Sequence, residues 1–155
     1  MTLRFLTMGW TYNGRPITEI KDMPEGTIGF IYKITNHQTG EYYIGKKSLY
    51  SKRTLPPLKG YKRKRKVVKE SKWLEYRSSN TQVRLWFHEN DAAKELDDKK
   101  KINDSLELKI LRFCKTPKSL TYYEVEELFH HRVLSDELSL NDNILGKFFR
   151  KDLDI

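Results

Sequence analysis

GFIYKITNHQTGEYYIGKKSLYSKR, residues 29–53, is the stretch on which the reading of this chain turns. Residues 28–35 are dense in β-branched and aromatic types and predict a strand. Asn36 to Gly40 has the composition of a hairpin loop, and Glu41 to Gly45 predicts the returning strand. With a symmetric loop, Asn36 faces Glu41, Ile34 faces Tyr43 and Tyr32 faces Gly45. Side chains alternate along a strand, so Tyr32, Ile34, Tyr43 and Gly45 share one face, with open space over Gly45 across from Tyr32. A β-bulge in this pair would break that parity.

A basic segment begins where the hairpin ends. The chain of 155 residues carries a net charge of +9. Between Lys46 and Lys72 stand twelve lysines and arginines and one acid, Glu70, for a net of +11; the other 128 residues carry 18 basic and 20 acidic side chains. The excess is therefore one local patch, the electrostatic signature of a polyanion partner. A solvated, solubilising run is the plainer reading of the same residues. Lys46, Lys52, Lys62, Arg63, Lys64, Arg65, Lys66 and Lys69 are the candidate nucleic-acid contacts. The run Tyr61 to Lys66 reads as a mobile loop, and Ser48 to Arg53 as a short helix or turn that Pro56-Pro57 ends.

Upstream, Asn13-Gly14 is a hairpin turn signal, and Pro16 assigns any strand there to an edge. Downstream, Glu70 to Arg77 reads as a helical turn or two, with Trp73 and Tyr76 packing inward. Ser78, Ser79 and Asn80 are N-cap types before a helix from Thr81 to about Leu96, with Val83, Trp86, Phe87 and Ala93 inward. Asp97 to Asp104 reads as a charged loop or frayed helix end. Leu106 to Phe113 predicts a third strand, with Leu106, Leu108 and Ile110 on one face and Leu111 and Phe113 on the other. Thr116 to Ser119 reads as a turn, Thr121 to Leu134 as a helix, and Leu138 to Phe149 as a loop and short helix. The expected fold is α/β (α+β), a small three-stranded antiparallel sheet flanked by helices. An N-terminal arm would occupy residues 1–27, and one domain residues 28–150 with a basic insertion over 54–72.

Other classes are excluded or disfavoured. Cys114, the one cysteine, rules out a disulfide framework or a cysteine-rich zinc site. No apolar run has the length of a membrane span, and the N-terminus lacks the apolar core of a signal peptide. A cytosolic location without membrane contact is the expectation.

The order of the polar groups then matters. Tyrosines and a glycine share a hairpin face, an arginine follows among lysines, and Glu124 falls in the first turn of a later helix. Gly29-Phe30-Ile31-Tyr32 and Tyr43-Ile44-Gly45, with ten residues between Tyr32 and Tyr43, resemble the paired strand motifs of the GIY-YIG endonuclease superfamily. The arrangement is similar to its small free-standing, Seg-like phage homing enzymes. The first motif departs from the strict triplet by one residue between glycine and isoleucine.

The resemblance covers roughly residues 28–145 and implies metal-dependent hydrolysis of DNA, most naturally double-stranded. It implies that Tyr32 acts as general base or positions water, that Tyr43 joins the hydrogen-bond network, and that Arg53 contacts the scissile phosphate. Glu124 would hold Mg²⁺ or Mn²⁺ through oxygen. Gly45, Lys47 and Asn141 would be auxiliary, with Asn143 the competitor of Asn141. Many members carry a histidine near the arginine; His37, His88, His130 and His131 do not supply one here. Because an unperturbed phenol titrates near pH 10, a tyrosine base needs nearby cations, and Lys46, Lys47 and Arg53 are those available. Thr121-x-x-Glu124 also fits a capping box, a competing explanation of the glutamate. A single site cuts one strand, so double-strand cleavage needs a second chain, as in a dimer, or a second encounter.

Overall fold

The computed structural model describes residues 9–93 and 95–153. Residues 1–8 of the expected arm lie outside them. Gly29–Asn36 (β3) and Tyr42–Ser48 (β4) form the expected hairpin, with Ile34 opposite Tyr43 and Tyr32 opposite Gly45. The loop is set by Asn36: its Oδ1 accepts the Gln38 amide, and its carbonyl accepts the Gly40 amide at 2.7 Å. Gly40, at φ 81°, takes the left-handed conformation that closes the turn.

The sheet is larger than three antiparallel strands. β3 pairs on its other side with Leu106–Cys114 (β7), which in turn pairs in parallel with Trp10–Tyr12 (β1); Arg15–Pro16 (β2) completes the order β2-β1-β7-β3-β4. Asn13 (φ 50°) and Gly14 (φ 81°) make the predicted β1–β2 turn, with Pro16 on an edge. The N-terminal hairpin joins the sheet because Trp10 is fully buried and its indole donates to the Trp73 carbonyl at 3.0 Å.

A register shift between Ile31 and Tyr32 leaves Leu111 of β7 without a partner. This bulge flips the parity of the strand end. Leu106, Leu108 and Ile110 share one face as expected, but Phe113 returns to that face, where its ring lies 4.7 Å from that of Tyr12. Leu111 packs on the opposite side.

Helices cover both faces. Thr81–Ala92 (α1) packs Val83, Trp86 and Phe87 against Phe30, Tyr32, Ile34 and Leu108. Asn80 caps it, its side chain accepting the Val83 amide. Leu96–Ser105 (α2) is a regular helix where a charged loop or frayed helix end was expected; it is exposed over most of its first two turns, and Ile102 packs against the core near its end. Pro117–His130 (α3) packs Leu120 and Leu128 against Ile31 and Ile44 on the other face. It begins four residues before the position read from the sequence, because Thr116 and Ser119 form the capping box and Pro117 takes the first helical position.

Two further segments differ from expectation. Tyr50–Leu55 (β5) and Arg65–Glu70 (β6) form a two-stranded antiparallel ribbon, where a helix or turn and a mobile loop were expected. After α3, Asn143–Ile144 (β8) and Phe148–Phe149 (β9) pair, and a 3₁₀ turn over Arg150–Asp152 follows. No helix among the described residues is long and apolar enough to cross a membrane.

Candidate active site

β4 is the edge of the sheet, and a polar cleft of about 430 Å³ opens beside it. Tyr43 projects from the α1 face and Glu124 stands on α3, which covers the opposite face; both line this cleft with Asn141 and Asp142. Two groups that belong to opposite faces of the sheet thus border one cleft at the β4 edge, along which residues 138–141 bond Tyr42 and Ile44.

Gly45 is what lets the tyrosines converge. A Cβ on Gly45 would stand 2.5 Å from the Tyr32 hydroxyl and 3.1 Å from Tyr43 Cε1, closer than packed atoms tolerate. The space predicted opposite Tyr32 is therefore filled by Tyr32 itself. Gly29 has a similar office on the other face, where a Cβ would meet Leu120 of α3 at 2.9 Å and the Lys47 carbonyl at 2.8 Å. That close helix approach accounts for the glycine of the lengthened first motif.

Tyr32 is 1% exposed, its ring 5.9 Å from Tyr76 and 6.3 Å from Tyr43. Burial pushes its phenol far above the ordinary range; Tyr76 adds to the effect, and the Ser78 hydroxyl offsets part of it. No cation stands among the groups that act on it most strongly. Tyr43 is half-buried and also raised, first by burial, then by Glu124, Tyr76 and Asp142, against the Ser79 hydroxyl. At neutral pH both phenols hold their protons.

Glu124 lies in the second turn of α3, so the Thr121-x-x-Glu124 capping box does not form. Burial raises its carboxyl above the usual range, and Lys46 opposes that shift. Lys46 sits across from the same helix, donating to Thr121 Oγ1 at 2.9 Å. Lys47, next along β4 and on the other face, places its ammonium 4.6 Å from the centre of the Tyr76 ring, and partial burial lowers its pKa. The two lysines therefore serve different sides of the edge.

Asn141 is 6% exposed and clasps the outer edge of β4. Its Oδ1 accepts the Ile44 amide at 3.0 Å, and its Nδ2 donates to the Ile44 carbonyl at 2.8 Å. Both ends of its amide are thus engaged with the strand. Asn143 instead bonds Asp142 and the Gly146 amide. Arg150 secures the loop, donating to the carbonyls of Leu134, Asp136, Ser139 and Asn141.

Arg53 is not brought to the cleft. It stands exposed on β5, opposite Val67. Lys52 accompanies it, Arg65, Lys66 and Lys69 lie on β6, and Lys62, Arg63 and Lys64 lie in the turn of the ribbon.

Tyr76, Ser78, Ser79, Asp142 and Arg150 are neighbours that sequence reasoning did not place here. Tyr76 has the spacing of a packing residue, and the two serines have the composition of a helix cap. Ser78 is instead buried at φ 79°, which turns the chain toward Tyr32. The donor chemistry fits a hard divalent ion: carboxylates of Glu124 and Asp142 face one polar cleft with room for water. Among the described residues there is no cluster of three or more histidine, cysteine or acidic side chains suited to a metal.

The family model described as "Putative endonuclease segE, GIY-YIG domain" matches residues 10–145. No curated protein and no solved structure gives a significant match.

Proposed function

The chain belongs to the SegE-type GIY-YIG endonuclease family, a nuclease family, and on that footing we propose that it is a divalent-metal-dependent endonuclease acting on double-stranded DNA. The observation that carries this reading is that Tyr43 and Glu124 line one polar cleft beside β4, because hydrolysis needs a polar group for water and a carboxylate for the ion at one phosphate. Glu124, with Asp142 facing the same cleft, would hold Mg²⁺ or Mn²⁺. When bound, that ion supplies Lewis-acid relief of the charge that builds on the phosphate oxygens.

The remaining work falls to this chain's side chains. Tyr43 borders the cleft and orients the attacking water by hydrogen bonding. Tyr32, buried behind it, holds its proton and fixes the position of Tyr43 and Tyr76. Either tyrosine would have to lose its own proton before it could take one from water, and burial opposes that; Lys47, over the Tyr76 ring, is a cation on that side of the edge. Lys46 opposes the upward shift that burial gives the Glu124 carboxyl and adds positive charge at the rim. Water oxygen bonds to phosphorus as the bond to the leaving sugar oxygen breaks; the proton the water loses passes to solvent in the cleft, and the leaving oxygen takes one from solvent. Arg53 enters as a DNA contact delivered by the ribbon.

The test is a plasmid-nicking assay with supercoiled DNA. Wild type should nick with Mg²⁺ and stop with EDTA. Glu124→Gln should lose activity by about 10³-fold or more while still binding DNA. Its stability should be unchanged or higher, because at neutral pH the native fold carries the cost of a partly buried carboxylate. Undiminished cutting by Glu124→Gln overturns the assignment of the glutamate. Absence of cutting by wild type on several DNAs, with binding retained, favours a non-catalytic nucleic-acid-binding module of the same fold.

A further inference from the structure

We propose that the β5–β6 ribbon seats in the major groove of duplex DNA and reads base edges with one of its two faces, the face carrying Arg53 and Arg65. The inference rests on the DNA substrate of the preceding reading and deepens it.

The ribbon leaves the body at a fixed root. Leu49 is fully buried, the Ser71 amide donates to the Leu49 carbonyl, and the Ser71 hydroxyl donates to the Ser48 carbonyl. Beyond this root both faces are open: every residue of β6 is exposed, as is every residue of β5 except the half-exposed Leu55. Two six-residue strands span about 20 Å. Such a ribbon matches the major groove of B-form DNA, about 12 Å wide, and exceeds the minor groove of about 6 Å. The deep, narrow major groove of duplex RNA would exclude it.

The register divides the side chains into two unlike sets. Ser51, Arg53 and Leu55 share a face with Arg65, Val67 and Lys69; Tyr50, Lys52 and Thr54 share the other with Lys66, Val68 and Glu70. The first face has three cations and no acid. The second has two lysines and Glu70, whose carboxylate accepts from the Trp73 indole at 2.9 Å. Among the described residues no carboxylate forms an ion pair with any lysine or arginine of the ribbon. Both arginines are on the first face, and a guanidinium fork matches the two acceptors of guanine. Arg65 donates through Nε to the Pro56 carbonyl at 3.3 Å, which leaves its terminal nitrogens for a ligand. Arg53 and Arg65 are diagonal neighbours across the ladder, about 7–8 Å apart. Bases stack at about 3.4 Å, so the pair addresses guanines two steps apart.

The experiment is binding in EDTA to a pool of randomised DNA duplexes, with sequencing of the bound fraction, so that no cleavage is required. Wild type should enrich guanines two steps apart. Arg53→Gln/Arg65→Gln should lose that enrichment and bind enriched duplexes roughly tenfold more weakly or worse. Lys52→Gln/Lys66→Gln removes the same charge from the other face; it should weaken binding through salt dependence and keep the enrichment. Equal behaviour of the two pairs, no base preference in wild type, or equally tight binding of duplex RNA overturns the proposal. If wild type shows the preference but never cuts, the nuclease reading fails and this one stands.

Discussion

The β4 edge and the β5–β6 ribbon are both basic, and they are built in opposite ways. At the edge, polar groups stand on buried supports: Tyr32 and Asn141 are almost wholly out of solvent, and Gly45 is the one residue that fits between the tyrosines. The ribbon has no core, and its two strands hold each other through a backbone ladder with cations on both sides. Catalysis needs atoms held to fractions of an ångström. A polyanion needs charge that can adjust along a groove. The division is consistent with chemistry at the edge and grip on the ribbon.

Truncation gives the largest difference between the two regions. Asn141→Ala removes both partners from the Ile44 amide and carbonyl at a buried strand edge. It should cost about 3 kcal/mol, seen as a fall in Tm of roughly 6–12 °C for a chain of this size. Val68→Ala, on a ribbon residue 60% exposed, should change stability by less than about 0.5 kcal/mol. Calorimetry of both variants checks the contrast; equal shifts would mean that the ribbon is part of the cooperative core.

The same contrast decided what could be read from the sequence. The β3–β4 register was legible because strand alternation and a short loop leave little choice, and Tyr32 opposite Gly45 followed directly. The helix carrying Glu124 was legible in kind but misplaced at its start, because Thr121 offered a cap pattern as good as the Thr116 and Ser119 pair that forms. The ribbon was not legible. Arg65 to Glu70 has no apolar alternation, so the second strand exists through pairing with Tyr50–Leu55 and not through any preference of its own. The Leu111 bulge that returns Phe113 to the α1 face left no local mark. Nor could sequence show Tyr43 and Glu124 bordering one cleft at the sheet edge, since that depends on which strand is outermost.

A smaller effect sharpens the electrostatics of the edge. Burial holds the Glu124 carboxyl above the usual carboxylate range, and Lys46 is the cation that opposes it. On the proposed metal-holding role the ionised form is the active one, so activity should fall as pH drops through that raised value. Lys46→Met removes the opposing charge and should move the acidic limb of kcat/KM to higher pH, leaving the rate near its plateau less affected than the rate on the limb. A pH profile of plasmid nicking reads this. A limb that moves to lower pH, or does not move, would mean that Lys46 does not act on the glutamate.

The smallest effect on the fold belongs to the ribbon turn. Lys62, Arg63 and Lys64 are exposed around Gly60, which at φ 88° helps shape the turn after Pro56-Pro57. Replacing all three by Gln removes charge without touching a packed atom, so Tm should barely change. Duplex binding should weaken at low salt, and the slope of log K against log salt should become shallower by up to about 3, close to 0.9 for each phosphate that is no longer neutralised. Base preference in the randomised pool should persist, because these cations meet phosphates while Arg53 and Arg65 meet bases. Fluorescence anisotropy across a salt series distinguishes the cases. An unchanged slope would remove the turn from the DNA interface, whereas a vanished preference would shift base reading from the ladder to the turn.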